Sequence, residues 1–213
     1  MKKLLVAFFF TIYSFTTLLA QDTLSFSSVL QQFTSSYARI DNYHCKMNTF
    51  EKAGNRTDEK VFYYYFVKPD CVHVEILEGR NKGSTATLKD GRVRAAMGGI
   101  LNKFKVLLHP RSKMMLSIRG GSLDESGWGK MLESMELMNK SGWNAKCDSA
   151  GNTSWVLELS SAAPSSVYVY RYYMDPVTKL VSMSEYYENG ELVERVKYEI
   201  LSLNSESNGV FFK

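Results

Sequence analysis

The chain has 213 residues, a formal net charge of +4, 45% hydrophobic and 13% aromatic side chains. That length and apolar content suffice for a sizeable core, and the small charge argues against a nucleic-acid-binding class, whose mark is a strong basic excess. The charge is unevenly spread: no acid lies between Asp90 and Asp124, whereas Arg92, Arg94, Lys103, Lys105, Arg111, Lys113 and Arg119 all fall there.

Lys2 and Lys3 precede an apolar run from Leu4 to Tyr13, and Thr16 to Ala20 then step down to a small residue. This reads as a secretory signal (residues 1–20) cleaved after Ala20. Ser14, Thr16 and Thr17 interrupt the run, short of the roughly 20 residues a spanning helix needs. Cleavage leaves residues 21–213, read as a single exported domain of net charge +2, with no Cys next to the cut for lipid attachment.

The mature chain opens with a helix. Phe26, Val29, Leu30, Phe33, Tyr37 and Ile40 recur at spacings of three and four, which places them on one face. Asp22 or Ser25 supplies the cap, and the helix should end near Asp41–Asn42. Strands are predicted at 43–52, 59–68, 71–77, 84–89 and 92–97, separated by Ala53-Gly54-Asn55, Lys68-Pro69-Asp70, a turn at 78–83 and the hairpin pair Asp90-Gly91. Within 71–77, Val72, Val74 and Ile76 alternate with Cys71, His73 and Glu75, the pattern of a strand with one buried face.

Ser122 to Glu125 has capping-box spacing, and Trp128, Met131, Leu132, Met135 and Met138 mark one face of a second helix, stopped by Gly142. Strands resume at 143–148, 153–160, 166–174, 179–187 and 191–202, with Asp175-Pro176 and Asn189-Gly190 as turns. Two helices against about ten antiparallel strands define an α+β class. A sheet that large curls, so the expected architecture is a highly curved antiparallel sheet forming an incomplete β-barrel, covered by the two amphipathic helices.

No catalytic signature is present. His44, His73 and His109 have no metal-ligand spacing, and there is no nucleophile elbow, phosphate loop or dinucleotide fingerprint. Cys71, His73 and Glu75 share a strand face, either as a small reactive cluster or as a half-exposed polar face. Neither a metal nor a cofactor is expected. Export places Cys45, Cys71 and Cys147 in an oxidising compartment, and three thiols cannot all pair within one chain. Cys45 and Cys71, read on consecutive strands, form the expected bridge; the alternative is three free thiols packed as small apolar side chains.

Apolar side chains exceed what one sheet face needs. In 61–67, VFYYYFV, both faces are apolar, and 167–173, VYVYRYY, repeats the pattern. Either such strands are central and covered on both sides, or one face lines a cavity, where Tyr places a ring against apolar matter and a hydroxyl on a polar partner. Met97-Gly98-Gly99-Ile100-Leu101, followed by Lys103 and Lys105, combines apolar side chains with cations, as would suit contact with an anionic membrane surface or lipid headgroups; a hairpin with a solvated basic face fits the same residues.

CVHVEILEG after Lys68-Pro69-Asp70, LKDGRVRA at 88–95 and YYMDPVTKLVSMSEYYENGELVERVKYEI at 172–200 together resemble the LolA/LolB-like lipoprotein-sorting superfamily and related exported domains. The likeness covers nearly the whole mature chain and consists of strand-and-turn grammar. It implies an unclosed antiparallel barrel whose helices lid an apolar cavity for acyl chains, without a cofactor. In that family an Arg on an early strand is associated with latching the lid; here the nearest basic residues are Lys46 and Arg56. The resulting expectation is a non-enzymatic, monomeric periplasmic carrier or sensor of acyl chains or lipoproteins. Phe62, Tyr64, Phe66, Val72, Val74, Ile76 and Met135 are expected to line the cavity. Ile100, Leu101, Lys103 and Lys105 form a contact loop for a membrane or partner. The rival expectation is a cell-envelope protein-interaction module without a lipid ligand.

Overall fold

The computed structural model describes residues 25–99, 105–150, 154–163 and 166–212. The expected signal segment and Ile100, Leu101 and Lys103 of the expected contact loop lie outside these residues. Helix α1 spans Phe26–Ala38 and begins with a capping box, in which Ser25 Oγ accepts from the Ser28 amide while Ser28 reaches back to the Ser25 backbone. It buries Phe26, Val29 and Phe33. Ile40, expected on the same helical face, follows the helix and is also buried.

Six strands come next: β1 (Asn42–Ala53), β2 (Arg56–Val67), β3 (Cys71–Gly79), β4 (Thr85–Lys89), β5 (Arg92–Ala96) and β6 (Lys105–Leu108). Helix α2 (Trp128–Lys140) precedes β7 (Asn144–Ala150), β8 (Ser154–Ala163), β9 (Ser166–Met174), β10 (Val181–Glu188) and β11 (Glu191–Leu203), and a 3-10 segment covers Glu206–Phe212. Asp90-Gly91 and Asn189-Gly190 both have two successive positive φ angles, as two-residue hairpins require. Strand β6 was not foreseen, because KVLL is four residues long and sits in a basic stretch without clear alternation.

All eleven strands belong to one sheet in the order β6-β5-β4-β3-β2-β1-β11-β10-β9-β8-β7. Every pairing is antiparallel. Two meanders thus run outward from a central seam between β1 and β11. The free edges β6 and β7 do not pair with each other, which leaves the barrel incomplete. The chain passes from one free edge to the other through residues 109–143, and this connection carries α2.

Helix α2 starts differently from the sequence expectation. Ser122 does not accept from a helix amide; its hydroxyl instead donates to Asp124 and Glu125, at 2.5 and 2.9 Å. A 3-10 turn at Leu123–Glu125 follows, and Gly127 becomes the N-cap at φ +90°. A Cβ at Gly127 would lie 2.8 Å from both the Tyr43 and Tyr64 hydroxyls, so the helix start is seated directly on the sheet. At the other end, the Trp143 amide bonds the Met138 carbonyl and the Gly142 amide that of Asn139. This is a Schellman stop at Gly142, as the sequence suggests.

The solid core lies where the two helices meet the inner sheet face. Trp128 is fully buried, stacks on Tyr43 at 4.3 Å and donates its indole N–H to the Val181 carbonyl at 3.1 Å. The outer face is covered near β2 and β3 by the C-terminal 3-10 segment. There Phe211 stacks on His73 at 4.1 Å and packs at a tilt against Tyr65 at 4.5 Å, and Lys89 Nζ donates to the Phe212 carbonyl at 2.7 Å. The doubly apolar β2 is therefore sandwiched, with Tyr65 under this segment and Phe66 in the core.

The expected Cys45–Cys71 bridge is absent: both thiols are free. Strand β2 lies between β1 and β3, and Cys45 is in register with Tyr64 whereas Cys71 is in register with Val67. Tyr64 and Val67 point to opposite faces of β2, so the two sulfurs are on opposite sides of the sheet.

Candidate functional site

Between the inner sheet face, α2 and the 109–121 segment lies a half-open cavity of about 1210 Å³. Of the residues singled out in the sequence, Phe62, Tyr64, Val74 and Ile76 line it. Phe66, Val72 and Met135 do not. All three are buried in the solid core, because they sit nearer the seat of the helices, where facing side chains fill the space. From α2 the cavity takes Met131 and Met138 instead. The far wall is aromatic and comes from strands late in the sequence: Tyr168, Tyr170 and Tyr172 of β9, Tyr186 of β10 and Tyr198 of β11. Tyr170 stacks on Tyr186 at 4.2 Å and on Tyr172 at 6.2 Å.

One end of the cavity is polar, for a reason visible only in the strand register. Tyr170 pairs with Tyr186, Tyr186 with Glu194, Glu194 with Glu51, and Glu51 with Asp58. All five residues line the cavity. Three carboxylates thus stand side by side on neighbouring strands, an arrangement that is repulsive when all are charged. Asp58 is neutralised by Lys60 at 2.6 Å. Burial, and then the Glu51 charge, push the Glu194 carboxyl above its ordinary range, and Arg119 only partly opposes them.

The turn at residues 117–121 is strapped over this end. The Ile118 amide donates to Glu51 Oε2 at 3.2 Å, Arg119 donates to the Lys52 carbonyl at 2.7 Å and pairs with Glu188, and its guanidinium lies 5.4 Å from the Tyr186 ring centre. The turn itself is tied by Ser117, whose hydroxyl accepts from the Arg119 and Gly121 amides. The cation fastening cover to sheet is therefore on the cover. Lys46 is in register with Tyr63 and Glu199 on the outer face, and Arg56 is exposed at the start of β2.

The expected Cys71, His73 and Glu75 face is occupied structurally. His73 Nδ1 bonds Thr87 Oγ1 at 2.7 Å under the Phe211 ring, and burial lowers the imidazole to about 4. Burial raises the Cys71 thiol, which disfavours the nucleophilic thiolate. Among the described residues no group of three His, Cys, Asp or Glu side chains is placed to hold a metal, and no helix is long and apolar enough to cross a membrane. Lys105, of the expected contact loop, is exposed on β6.

No family model matches the chain, and no curated protein sequence matches it. Solved structures do. The chain is similar to a putative outer membrane lipoprotein-sorting protein domain from Vibrio parahaemolyticus, at 11% identity and TM-score 0.44 over 86% of this chain and 96% of that one. It is similar to a LolA superfamily protein from Nitrosomonas europaea, at 11% identity and TM-score 0.38 over 84% and 93%. For MucB in the Pseudomonas aeruginosa MucA/MucB complex the figures are 15% and 0.48, over 85% of this chain and 59% of that one.

Proposed function

We propose that the protein is an exported, non-enzymatic carrier or sensor that holds an acyl chain, free or attached to a lipoprotein, in the sheet-lined cavity, and that it works in the periplasm after removal of residues 1–20. The observation that carries this reading is the cavity itself: about 1210 Å³, half-open, and walled by Phe62, Ile76, Met131 and the tyrosines of β9 to β11. That exceeds the roughly 300–1,000 Å³ of ordinary small-molecule pockets and suits a long flexible occupant. Each buried methylene is worth about 0.8 kcal/mol, so a chain can be held without a strong polar contact. The thioethers of Met131 and Met138 adapt to ligands of varied shape.

Native mass spectrometry of protein purified from its own envelope fraction, followed by lipid extraction, is expected to recover an acylated ligand. The purified protein should also take up a fluorescent fatty acid, and Ile76→Glu, which sets a charge in the cavity wall, should weaken uptake at least tenfold with little change in the urea midpoint. A ligand-free protein that takes up no probe would favour an interaction module instead.

A further inference from the structure

Several large apolar side chains that remain exposed among the described residues stand at the cavity mouth, while others, such as Val177 and Leu201, do not line it. Met97 is 55% exposed, Val106 44%, Met114 70% and Leu137 66%, and all four also line the cavity. Leu107, 57% exposed, continues the patch on the outer side of edge strand β6, directly beside Arg94 in register. Apolar side chains that are both exposed and part of a cavity wall differ from the single exposed apolar residues scattered over any protein surface.

Cations surround this surface. Arg80, Arg94, Lys105 and Lys113 are all exposed, and none has a carboxylate within ion-pair distance among the described residues. The first acids after this stretch, Asp124 and Glu125, both lie within ion-pair distance of Arg111, at 3.8 and 2.6 Å. The mouth therefore combines protruding apolar groups with an uncompensated positive rim.

We propose that the cavity mouth docks on an anionic lipid bilayer, with Met114 and Leu107 entering the headgroup layer and Arg94, Lys105 and Lys113 meeting lipid phosphates. The proposal rests on the reading of the cavity as an acyl-chain site, and adds where the chain is exchanged. Stable surface attachment takes an apolar and an electrostatic contribution together, and each cation near an anionic surface contributes about a fivefold gain in affinity that salt screens. With both at the mouth, a lipid chain passes from bilayer to cavity past Met114 without crossing water.

The test is sedimentation of the mature protein with vesicles of equal parts phosphatidylglycerol and phosphatidylcholine, compared with phosphatidylcholine alone. Binding is expected to the first composition only and to fall as salt rises. The double variant Arg94→Ala/Lys105→Ala should weaken it about thirtyfold, and Leu107→Asp should weaken it comparably. None of these three residues lines the cavity, so uptake of a fluorescent fatty acid from solution should stay at the wild-type level. Sedimentation with neither composition, equal sedimentation with both, or binding that the variants leave unchanged overturns the docking surface. If uptake persists in those cases, the cavity reading stands; loss of uptake with charge-dependent sedimentation does the reverse.

Discussion

Two rows of charged residues lie on opposite faces of the sheet, the outer one across β8 to β11 and the inner one across β11, β1 and β2, and they are built by opposite rules. On the outer face Glu158, Arg171, Glu185 and Arg195 follow one another in register with alternating sign. Glu185 accepts from Arg195 Nε, the Tyr173 hydroxyl and the Tyr187 hydroxyl, at 2.8 to 2.9 Å. Burial pushes its carboxyl up, but those donors outweigh burial and leave it below the ordinary range. On the inner face Glu194, Glu51 and Asp58 follow one another with the same sign, and the Glu194 carboxyl is raised. A buried carboxylate saturated with donors serves the fold. One that faces a cavity beside like charge is a cost to the fold, and it marks the cavity's polar end as shaped by something other than stability.

The sharpest way to break this contrast is to remove the outer carboxylate. Glu185→Ala leaves Arg195 and two tyrosine hydroxyls without their shared acceptor and should cost about 3 kcal/mol, read as a lower urea midpoint. Next in size is the outer-face imidazole. His73 is held neutral in the folded protein at about 4, below the ordinary 6.5 or so. The unfolded chain therefore binds the extra proton between those values. Stability is full above about pH 6.5 and should fall by roughly 3 kcal/mol as pH drops through that window; His73→Gln should flatten that part of a pH series of melting temperatures.

On the inner face the sign reverses. Because the folded Glu194 carboxyl is raised, the folded state holds its proton to higher pH than the unfolded chain. Its ionisation therefore lowers stability as pH climbs from about 4.3. Glu194→Gln should stabilise by about 1 kcal/mol at pH 7, with the gain vanishing below about pH 4; a destabilised variant would refute the inner-row argument. The smallest effect belongs to the strap. Arg119→Ala removes one hydrogen bond, one ion pair and one ring contact, and should cost about 1 kcal/mol or less. Faster amide exchange at Ile118 is its more sensitive readout.

Much of the architecture was legible in the residues. Asp-Gly and Asn-Gly between extended runs specify hairpins through their tolerance of positive φ, and the three- and four-residue spacing of Phe26, Val29 and Phe33 marks α1. The cavity was half legible. Alternation assigns Phe62, Val74 and Ile76 to the inner face, but cannot say that Phe66, Val72 and Met135 are beneath the helices while the others stop short of them. The carboxylate row was out of reach, because Glu51 and Glu194 are brought together only by a seam whose register no local pattern specifies. The covering role of Phe211 was missed for a similar reason: its partners His73 and Tyr65 are distant in sequence.

That seam has a kinetic consequence. Strand β1 makes its second edge with β11, so Tyr43 meets Leu203 and Glu51 meets Glu194 across most of the chain. The hairpins on either side close short loops, but the centre of the sheet waits for a contact of very high sequence separation, and such contacts set slow folding rates. Each meander alone would present a long unpaired strand, β1 or β11, as its edge. Refolding from urea should therefore be slow for a protein of this size, and a substitution such as Thr49→Pro at the seam should slow it further if the seam forms in the transition state.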